Sequence, residues 1–262
     1  MPGERPVLKV CGLTRVADIR CAEAAGADFC GFITEIERSP RCVTREQATL
    51  LARACRARPV LVVEGMPPDE IAALVEVVRP HAVQLHGGDA DYIREVAETL
   101  DAMAQVTADR LGACPTTTGA RGERRPVGCR TGCQPVAAEV WRPIGLPERA
   151  EDREALVEET LAEIEAALEA GASAIVLDTR TSEGTGGSGR TCDWEAAAEV
   201  VRRCDAPVLL AGGLGPENLR EALEATGAAG ADLSSSLEAS PGRKSPARLR
   251  ELGRAWATVI CG

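Results

Sequence analysis

Hydrophobic and polar positions fall into two alternating patterns along the chain. Short apolar runs rich in β-branched residues are each followed by a longer amphipathic stretch of Ala, Glu and Arg. This alternation is typical of a parallel sheet whose strands are joined by crossover helices. The predicted strands are 7–11, 27–33, 59–63, 81–85, 139–144, 173–178, 206–211 and 230–235. The predicted helices lie near 15–25, 44–57, 68–78, 90–99, 151–170, 193–204, 216–226 and 245–258. Eight β-then-α units predict an α/β fold, a (β/α)8 TIM barrel, in one domain over residues 1–262.

One stretch, residues 104–137, follows neither pattern. It is rich in Gly, Pro, Thr and Arg, and we interpret it as an insertion or mobile loop between the fourth and fifth strands. Its first residues, AQVTA, are alternatively the fifth strand. Cys114, Cys129 and Cys133 suggest zinc, but they lack a fourth ligand and the usual two-residue spacing. Exposed thiols are the simpler interpretation, and we predict no metal.

Composition narrows the possible partners. The chain of 262 residues has 30 basic and 40 acidic residues, a net charge of -10, and only 2% aromatic residues. These values disfavour a nucleic-acid partner, because phosphate backbones attract basic surfaces and single strands need aromatic stacking. No apolar run has the length of a membrane span or a signal peptide, so we expect no membrane partner and a cytoplasmic location. The odd count of 11 cysteines favours reduced thiols over a disulfide scaffold.

The reactive groups of such a barrel are expected where strands end and loops begin. Lys9 and Cys11 share a face at the end of the first strand, because side chains alternate along a strand. A thiolate beside an ammonium group would have a lowered pKa and act as a base; alternatively, Cys11 is a small buried apolar residue. After the second strand, Ser39-Pro40-Arg41 presents an arginine whose fork suits a carboxylate, or which is simply solvated.

Polar residues also end the fourth and sixth strands. Gln84 and His86 share a face, and we interpret them as residues that line the site and do not act as the base. Asp178 closes an apolar strand, where a carboxyl group would have a raised pKa and act as a general acid. The glycine-rich stretch 183–189 includes Gly187 and is either a loop that folds over a ligand or a flexible surface loop.

Glycines and serines follow the last two strands. Gly212 and Gly213 end the seventh strand, and Ser234 and Ser235 end the eighth. Backbone amides of such residues, together with a short helix N-terminus, form a phosphate site in many TIM barrels. We therefore expect a small phosphorylated ligand, held by amide dipoles in spite of the acidic net charge. Two ordinary turns are the alternative.

Eight motifs, in this order, resemble one enzyme family. They are KVCGLTR at 9–15, AGADFCGFI at 25–33, SPR at 39–41, QLHG at 84–87, LDTRTSEGTGGSG at 177–189, DW at 193–194, AGGLGPEN at 211–218 and DLSSSLEASPGRK at 232–244. Their sequence and spacing are similar to phosphoribosylanthranilate isomerase of tryptophan biosynthesis along almost the whole chain. The wording FITEIERSPR and LVVEGMPPDE resembles archaeal-type members. Only residues 104–137 have no counterpart.

The resemblance implies a (β/α)8 barrel that needs neither a metal nor an organic cofactor. The implied reaction is an Amadori rearrangement of N-(5-phosphoribosyl)anthranilate to 1-(2-carboxyphenylamino)-1-deoxyribulose 5-phosphate. It implies Cys11 as general base, Asp178 as general acid and Arg41 as the residue that holds the anthranilate carboxylate. Gly213 and Ser235 would contribute to the phosphate site.

Lys9 and Asp232 stand at positions of like parity on the first and eighth strands, which are neighbours if the barrel closes. We predict that they pair inside the mouth of the barrel and help to set the charge of Cys11. The sequence leaves open whether the protein is a monomer or a homodimer.

Three positions depart from the family's usual pattern. Ser236 replaces a glycine, Ser245 an aspartate and Cys192 a phenylalanine. If the first position needs a positive φ, serine costs about 1 kcal/mol or shifts the phosphate loop. One alternative function is therefore a catalytically degenerate barrel that binds a phosphorylated ligand. Another is a different phosphosugar barrel enzyme, which would need lysines at other strand ends or a metal-binding His/Asp set.

Overall fold

The computed structural model describes residues 5–112, 138–181, 184–185 and 191–261. The main strands are β1 (Val7–Val10), β2 (Phe29–Thr34), β3 (Arg58–Glu64), β4 (Ala82–His86), β5 (Glu139–Pro147), β6 (Ala174–Thr181), β7 (Val208–Ala211) and β8 (Gly230–Leu233). Each pairs in parallel with the next, and β1 pairs with β8 as well as β2. The sheet therefore closes, and the predicted (β/α)8 barrel is confirmed.

Helices follow the strands and surround the barrel. They are α1 (Val16–Ala24), α2 (Arg45–Ala54), α3 (Pro68–Val78), α4 (Ala90–Gly112), α5 (Arg153–Glu169), α6 (Trp194–Arg203), α7 (Leu219–Thr226) and α8 (Pro246–Cys261). Several begin at residues that the sequence marks as caps. Thr44 forms a capping box with Gln47 at α2, and Asp193 accepts two backbone N–H groups at the start of α6.

The sequence-based boundary of α4 is wrong. The expected helix was 90–99, with an irregular insertion or a fifth strand from residue 104, but the helix continues to Gly112. Its last turns contain good helix formers, yet they bury little, and Val106 is half exposed. Apolar periodicity therefore fades before the helix ends. Residues 113–137, with the three candidate zinc cysteines, lie outside the described residues.

Apolar side chains form two layers that the closed sheet separates. The outer layer lies between strands and helices, while the inner layer fills the barrel and contains Phe29, Val60, Trp141, Val176 and Leu209. Aromatic rings close the lower end of the barrel, where Phe29 and Trp141 meet edge-on with centroids 4.9 Å apart. The upper end, at the carboxyl ends of the strands, stays open.

Short elements extend the strand ends on the open side. Cys42–Val43 adds to β2, and Gly184–Thr185 pairs antiparallel with the end of β6. After β8 a single 3-10 turn, Ser235–Leu237, leads into a hairpin of Glu238–Ser240 and Arg243–Lys244. The chain thus places most of its irregular backbone around the open mouth.

Two structural features are absent from the described residues: a membrane-spanning helix and a cluster of metal ligands. None of the helices there is both long enough and apolar enough to cross a membrane. The same residues contain no group of three or more His, Cys, Asp or Glu side chains that could hold a metal ion.

Candidate active site

A cavity of about 370 Å³ opens at the carboxyl ends of the strands. Its lining includes most of the residues that the sequence singled out: Cys11, Arg41, Gln84, His86, Asp178, Gly212, Gly213, Asp232, Ser234 and Ser235. Lys9 lies beneath the cavity floor and is fully buried. Gly187 lies outside the described residues. Residues from six different strands or strand ends therefore meet at one place because the barrel closes.

Lys9 and Asp232 form the predicted ion pair. They are register partners on β1 and β8, and Lys9 Nζ donates to Asp232 Oδ2 at 2.5 Å. Burial opposes the charge of Lys9, but the carboxylate of Asp232 and then the sulfur of Cys11 outweigh it and raise the pKa of Lys9 to about 12. Asp232 Oδ1 is buried without a hydrogen-bond partner among the described residues. This oxygen is a free acceptor at the cavity wall.

Cys11 follows β1 and is almost completely buried, and its backbone N–H donates to Leu233 of β8. The expectation of a lowered pKa is wrong. Burial raises the pKa of the Cys11 thiol, while Lys9 opposes this shift and Asp232 adds to it. The ammonium group of Lys9 is already matched by a carboxylate, so its field favours the thiolate less than the sequence implied.

Asp178 lies near the end of β6 and is largely buried. Burial and then the negative charge of Asp232 raise the pKa of Asp178 to about 6, although the N–H of Thr179 at 2.8 Å and the charge of Lys9 act against this. The direction agrees with the sequence-based prediction. A carboxyl group with this pKa gives a proton readily near neutral pH.

Gln84 and His86 face the cavity from β4 and bond to each other. Gln84 Nε2 and His86 Nε2 are 3.0 Å apart, and Gln84 Oε1 is buried without a partner in the described part of the chain. Burial, followed by the charge of Lys9, lowers the pKa of His86 to about 4. The imidazole is therefore neutral at pH 7 and accepts the amide hydrogen through Nε2, which leaves its proton on Nδ1.

Arg41 reaches the cavity from the loop after β2. Glu238 holds one edge of its guanidinium group, with Nε and Nη2 each 2.8 Å from a carboxylate oxygen. Gly12 makes this position possible: a Cβ there would meet Arg41 Cδ at 2.6 Å, and φ is +71°. Sequence analysis named Arg41 but missed Glu238, although Glu238 lies within the quoted motif at 232–244.

The loops after β7 and β8 present backbone amides to the same cavity. Gly213 (φ +63°) and Ser235 donate no hydrogen bond to any described residue. Asn218 holds the first loop in shape: its side chain accepts from Gly215 N at 2.8 Å and donates to Gly213 O at 3.1 Å. Two unpaired N–H groups at one cavity wall are what an anion would require.

Ser236 does not have the positive φ that would strain a serine at this position. Among the described non-glycine residues only Glu35 and Arg79 have a positive φ, so serine is unstrained in the 3-10 turn. Its hydroxyl donates to Leu214 O and joins the loops after β7 and β8. Ser245 caps α8 by accepting from Arg248 N at 3.3 Å, and Cys192 is buried in the outer apolar layer.

Comparisons with known proteins agree with this geometry. The profile of the family described as N-(5'phosphoribosyl)anthranilate (PRA) isomerase matches residues 8–113 and 147–254. The chain is 33% identical over 255 residues to N-(5'-phosphoribosyl)anthranilate isomerase of the archaeon Methanopyrus kandleri, covering 96% of this chain and 99% of the relative. The chain belongs to the phosphoribosylanthranilate isomerase family. Its activity is isomerisation of phosphoribosylanthranilate in tryptophan biosynthesis, and its archaeal resemblance is confirmed.

Solved phosphoribosylanthranilate isomerases share the fold. One is the dimeric isomerase of Thermotoga maritima, crystallised as monomers, at 23% identity and a TM-score of 0.68, with 97% of this chain and 99% of that chain covered. Another was crystallised with reduced 1-(o-carboxyphenylamino)-1-deoxyribulose 5-phosphate, at 22% identity and a TM-score of 0.67, with the same coverage of both chains. At these identities the likeness concerns the barrel alone.

Sequence patterns did not single out several residues at or near the cavity. Gly31 of β2 leaves room for the Cys11 side chain, because a Cβ there would lie 2.7 Å from Cys11 Sγ. Lys244 is buried and donates to Ser234 O at 2.9 Å. Arg38 and Glu64 pair across the cavity wall. Gly31 and Lys244 lie in the motifs quoted for the family, and Arg38 and Glu64 lie in the two segments that resemble archaeal-type members. Motif position was therefore the available signal for all four.

Proposed function

We propose that this isomerase works by general acid–base catalysis with Asp178 as the acid and Cys11 as the base. Asp178 gives its proton to the furanose ring oxygen, the bond between that oxygen and C1 breaks, and a Schiff base forms. The Schiff base acidifies the C2 hydrogen. Cys11 thiolate takes that proton to give an enolamine, which tautomerises to the ketone. The observation that carries this assignment is that both side chains line one cavity.

The raised pKa values of both groups define how protons are distributed. At neutral pH the free protein holds Cys11 largely as the thiol, and Asp178, with a pKa of about 6, largely as the carboxylate. The productive state has the proton on Asp178 instead. Both states carry the same number of protons, so the active one is a minor tautomer of the pair.

We further propose that the two anionic ends of the substrate bind at two separate groups of donors in the cavity. The anthranilate carboxylate binds the free edge of Arg41, and the phosphate accepts hydrogen bonds from Gly213 and Ser235, with Gly212 and Ser234 adjacent to them in the sequence. The expectation that Gly187 contributes to the phosphate site is kept as part of this proposal. Support comes from unpaired donors at both places. The neutral Gln84–His86 pair and Asp232 Oδ1 offer hydrogen-bond partners for the sugar between these ends.

Three expectations from the sequence remain part of this proposal. The protein acts as one domain over residues 1–262, in the cytoplasm, and needs no cofactor. For the oligomeric state, a related isomerase is described as dimeric, which makes a homodimer as reasonable as a monomer here.

Turnover of freshly made phosphoribosylanthranilate tests the acid and base. Cys11→Ser and Asp178→Asn should each lower kcat by about a hundredfold or more, because removal of a positioned acid or base costs that much. The assay follows the loss of anthranilate-type fluorescence. Cys42→Ser and Asp205→Asn, which lie outside the cavity, should retain activity. A folded Cys11→Ser variant with ordinary kcat would reject the assignment of the base.

A further inference from the structure

The hairpin after β8 carries a buried charge cluster behind the cavity wall. Glu238 and Lys244 are register partners across its two strands, and their side chains are 6% and 0% exposed. Lys244 Nζ lies 3.1 Å from Glu238 Oε1, and the same carboxylate binds Arg41. Neither hairpin residue lines the cavity, whereas Arg41 does. The cluster therefore reaches the cavity through Arg41 and, by the bond from Lys244, through Ser234.

Glu238 determines which edge of Arg41 is available. It occupies Nε and Nη2, so within the described residues Nη1 has no partner. A guanidinium group offers a second parallel pair of N–H bonds along its Nη1–Nη2 edge, and this pair matches a carboxylate. Because one carboxylate lies between two cations, the cluster keeps a net positive charge for an anion on the cavity side.

Lys244 connects the cluster to the other end of the site. Its Nζ donates to Ser234 O at 2.9 Å, and Ser234 Oγ donates to Cys11 O at 3.1 Å. The turn of the hairpin also packs on the loop that carries Arg41, since a Cβ at Gly242 would meet Pro40 O at 2.6 Å. One hairpin thus contacts the Arg41 loop, the phosphate loop and the residue that follows β1.

We propose that Glu238 is a positioning residue that aims the free edge of Arg41 at the substrate carboxylate, with Lys244 as its anchor to the phosphate loop. This inference rests on the proposed contact between Arg41 and that carboxylate. The anthranilate carboxylate does not change during the reaction, so its contact stabilises bound substrate and transition state alike. Loss of the Arg41 orientation therefore raises KM and leaves kcat largely unchanged.

Two ligands distinguish loss of the Arg41 orientation from a general loss of ligand binding. One is reduced 1-(2-carboxyphenylamino)-1-deoxyribulose 5-phosphate, and the other is its phenyl counterpart without the carboxyl group. Glu238→Gln should weaken binding of the first about tenfold, the usual scale for one charge-assisted hydrogen bond, and leave the second unchanged. KM for phosphoribosylanthranilate should rise to a similar extent. Calorimetry of both ligands and steady-state kinetics measure these effects.

A second variant covers the case in which Glu238→Gln is unstable. That substitution leaves Lys244 buried without a counter-ion, whereas Glu238→Gln with Lys244→Met removes both charges. The double variant should fold and still lose its preference for the carboxylated ligand. Glu217→Gln is the matched control. Glu217 lies just before α7 and outside the cavity, and it pairs with Arg248 at 2.8 Å. This variant should bind both ligands normally.

Each result decides between the two proposals. Equal weakening of both ligands by Glu238→Gln, or no weakening of either, overturns the positioning role. If Arg41→Met loses the preference for the carboxylated ligand but Glu238→Gln keeps it, only the role of Glu238 fails. If Arg41→Met itself keeps the preference, the proposed carboxylate contact of Arg41 fails as well.

Discussion

At the scale of single residues, burial acts in the same direction on both proposed catalytic groups but has different consequences. It raises the pKa of Asp178 towards neutrality, where a carboxyl group becomes a usable acid. It raises the pKa of Cys11 away from neutrality, so the thiolate is scarce in the free protein. The sequence predicted the first shift from an aspartate that ends an apolar strand. For Cys11 the sequence left two alternatives, a thiolate with a lowered pKa and a small buried residue, and the structure shows the buried residue.

Asp178→Asn should make the protein more stable at alkaline pH. The carboxyl pKa is 3.8 without the fold and about 6 within it, so the folded state binds more protons between these values and stability falls as pH rises through them. With partial solvent screening, the free energy of unfolding of the variant should exceed that of the unchanged protein by on the order of 1 to 3 kcal/mol at pH 8 and by almost nothing at pH 4. Urea unfolding at both pH values measures this, with exposed Glu224→Gln as control. A gain equal at both pH values would contradict the argument.

At the scale of elements, the loops after β7 and β8 work as one unit. The Ser236 hydroxyl joins them by donating to Leu214 O, and Asn218 fixes the first loop from the start of α7. The family pattern with glycine at residue 236 suggested a backbone that serine would strain. The φ angle here is negative, so the hydroxyl adds a contact without that cost. Motif comparison alone does not reveal this, because φ is set by the turn as a whole.

Ser236→Gly should therefore destabilise the protein and should not improve substrate binding. Loss of the hydroxyl bond together with the added backbone freedom should lower the free energy of unfolding by about 1 to 2 kcal/mol. KM for phosphoribosylanthranilate should stay the same or rise. Ser240→Gly, at an exposed hairpin position, controls for backbone freedom alone. Tighter substrate binding by Ser236→Gly would show that the serine does restrict the phosphate loop.

At the scale of the whole molecule, closure of the barrel brings the first and last strands together. Lys9 and Asp232 are 223 positions apart in sequence, yet they are direct register partners on β1 and β8. Their pair lies under the cavity and affects the charge of Cys11 and Asp178. The fold thus places one buried ion pair where it influences both proposed catalytic groups.

Asp232→Asn should strongly destabilise the barrel, because it leaves the fully buried ammonium group of Lys9 without a counter-ion. Breaking one side of a buried pair typically costs about 3 to 5 kcal/mol, whereas replacing both sides with apolar groups costs much less. Lys9→Met with Asp232→Leu should therefore recover most of the lost stability. Chemical unfolding of the three proteins tests this. A double variant as unstable as the single one would mean that packing, not charge, explains the loss.

The sequence by itself determined the barrel, because the alternation of apolar runs and amphipathic stretches is a local property that survives without tertiary contacts. It also identified Cys11, Arg41 and Asp178, since strand ends and motif spacing can be read along the chain. It placed the end of α4 too early, because the last turns bury too little to leave a periodic signal.

Only the tertiary structure decided the pKa values and the hydrogen-bond partners of these residues. The pKa of Cys11 depends on Asp232, and the occupied edge of Arg41 depends on Glu238; both groups are distant in sequence. The negative φ of Ser236 is set by the turn in which it lies. Glu238 is 197 positions from Arg41, and no local pattern predicts that they share two hydrogen bonds. Solvation and charge act through space, so they are fixed only when the barrel closes and brings the strand ends together.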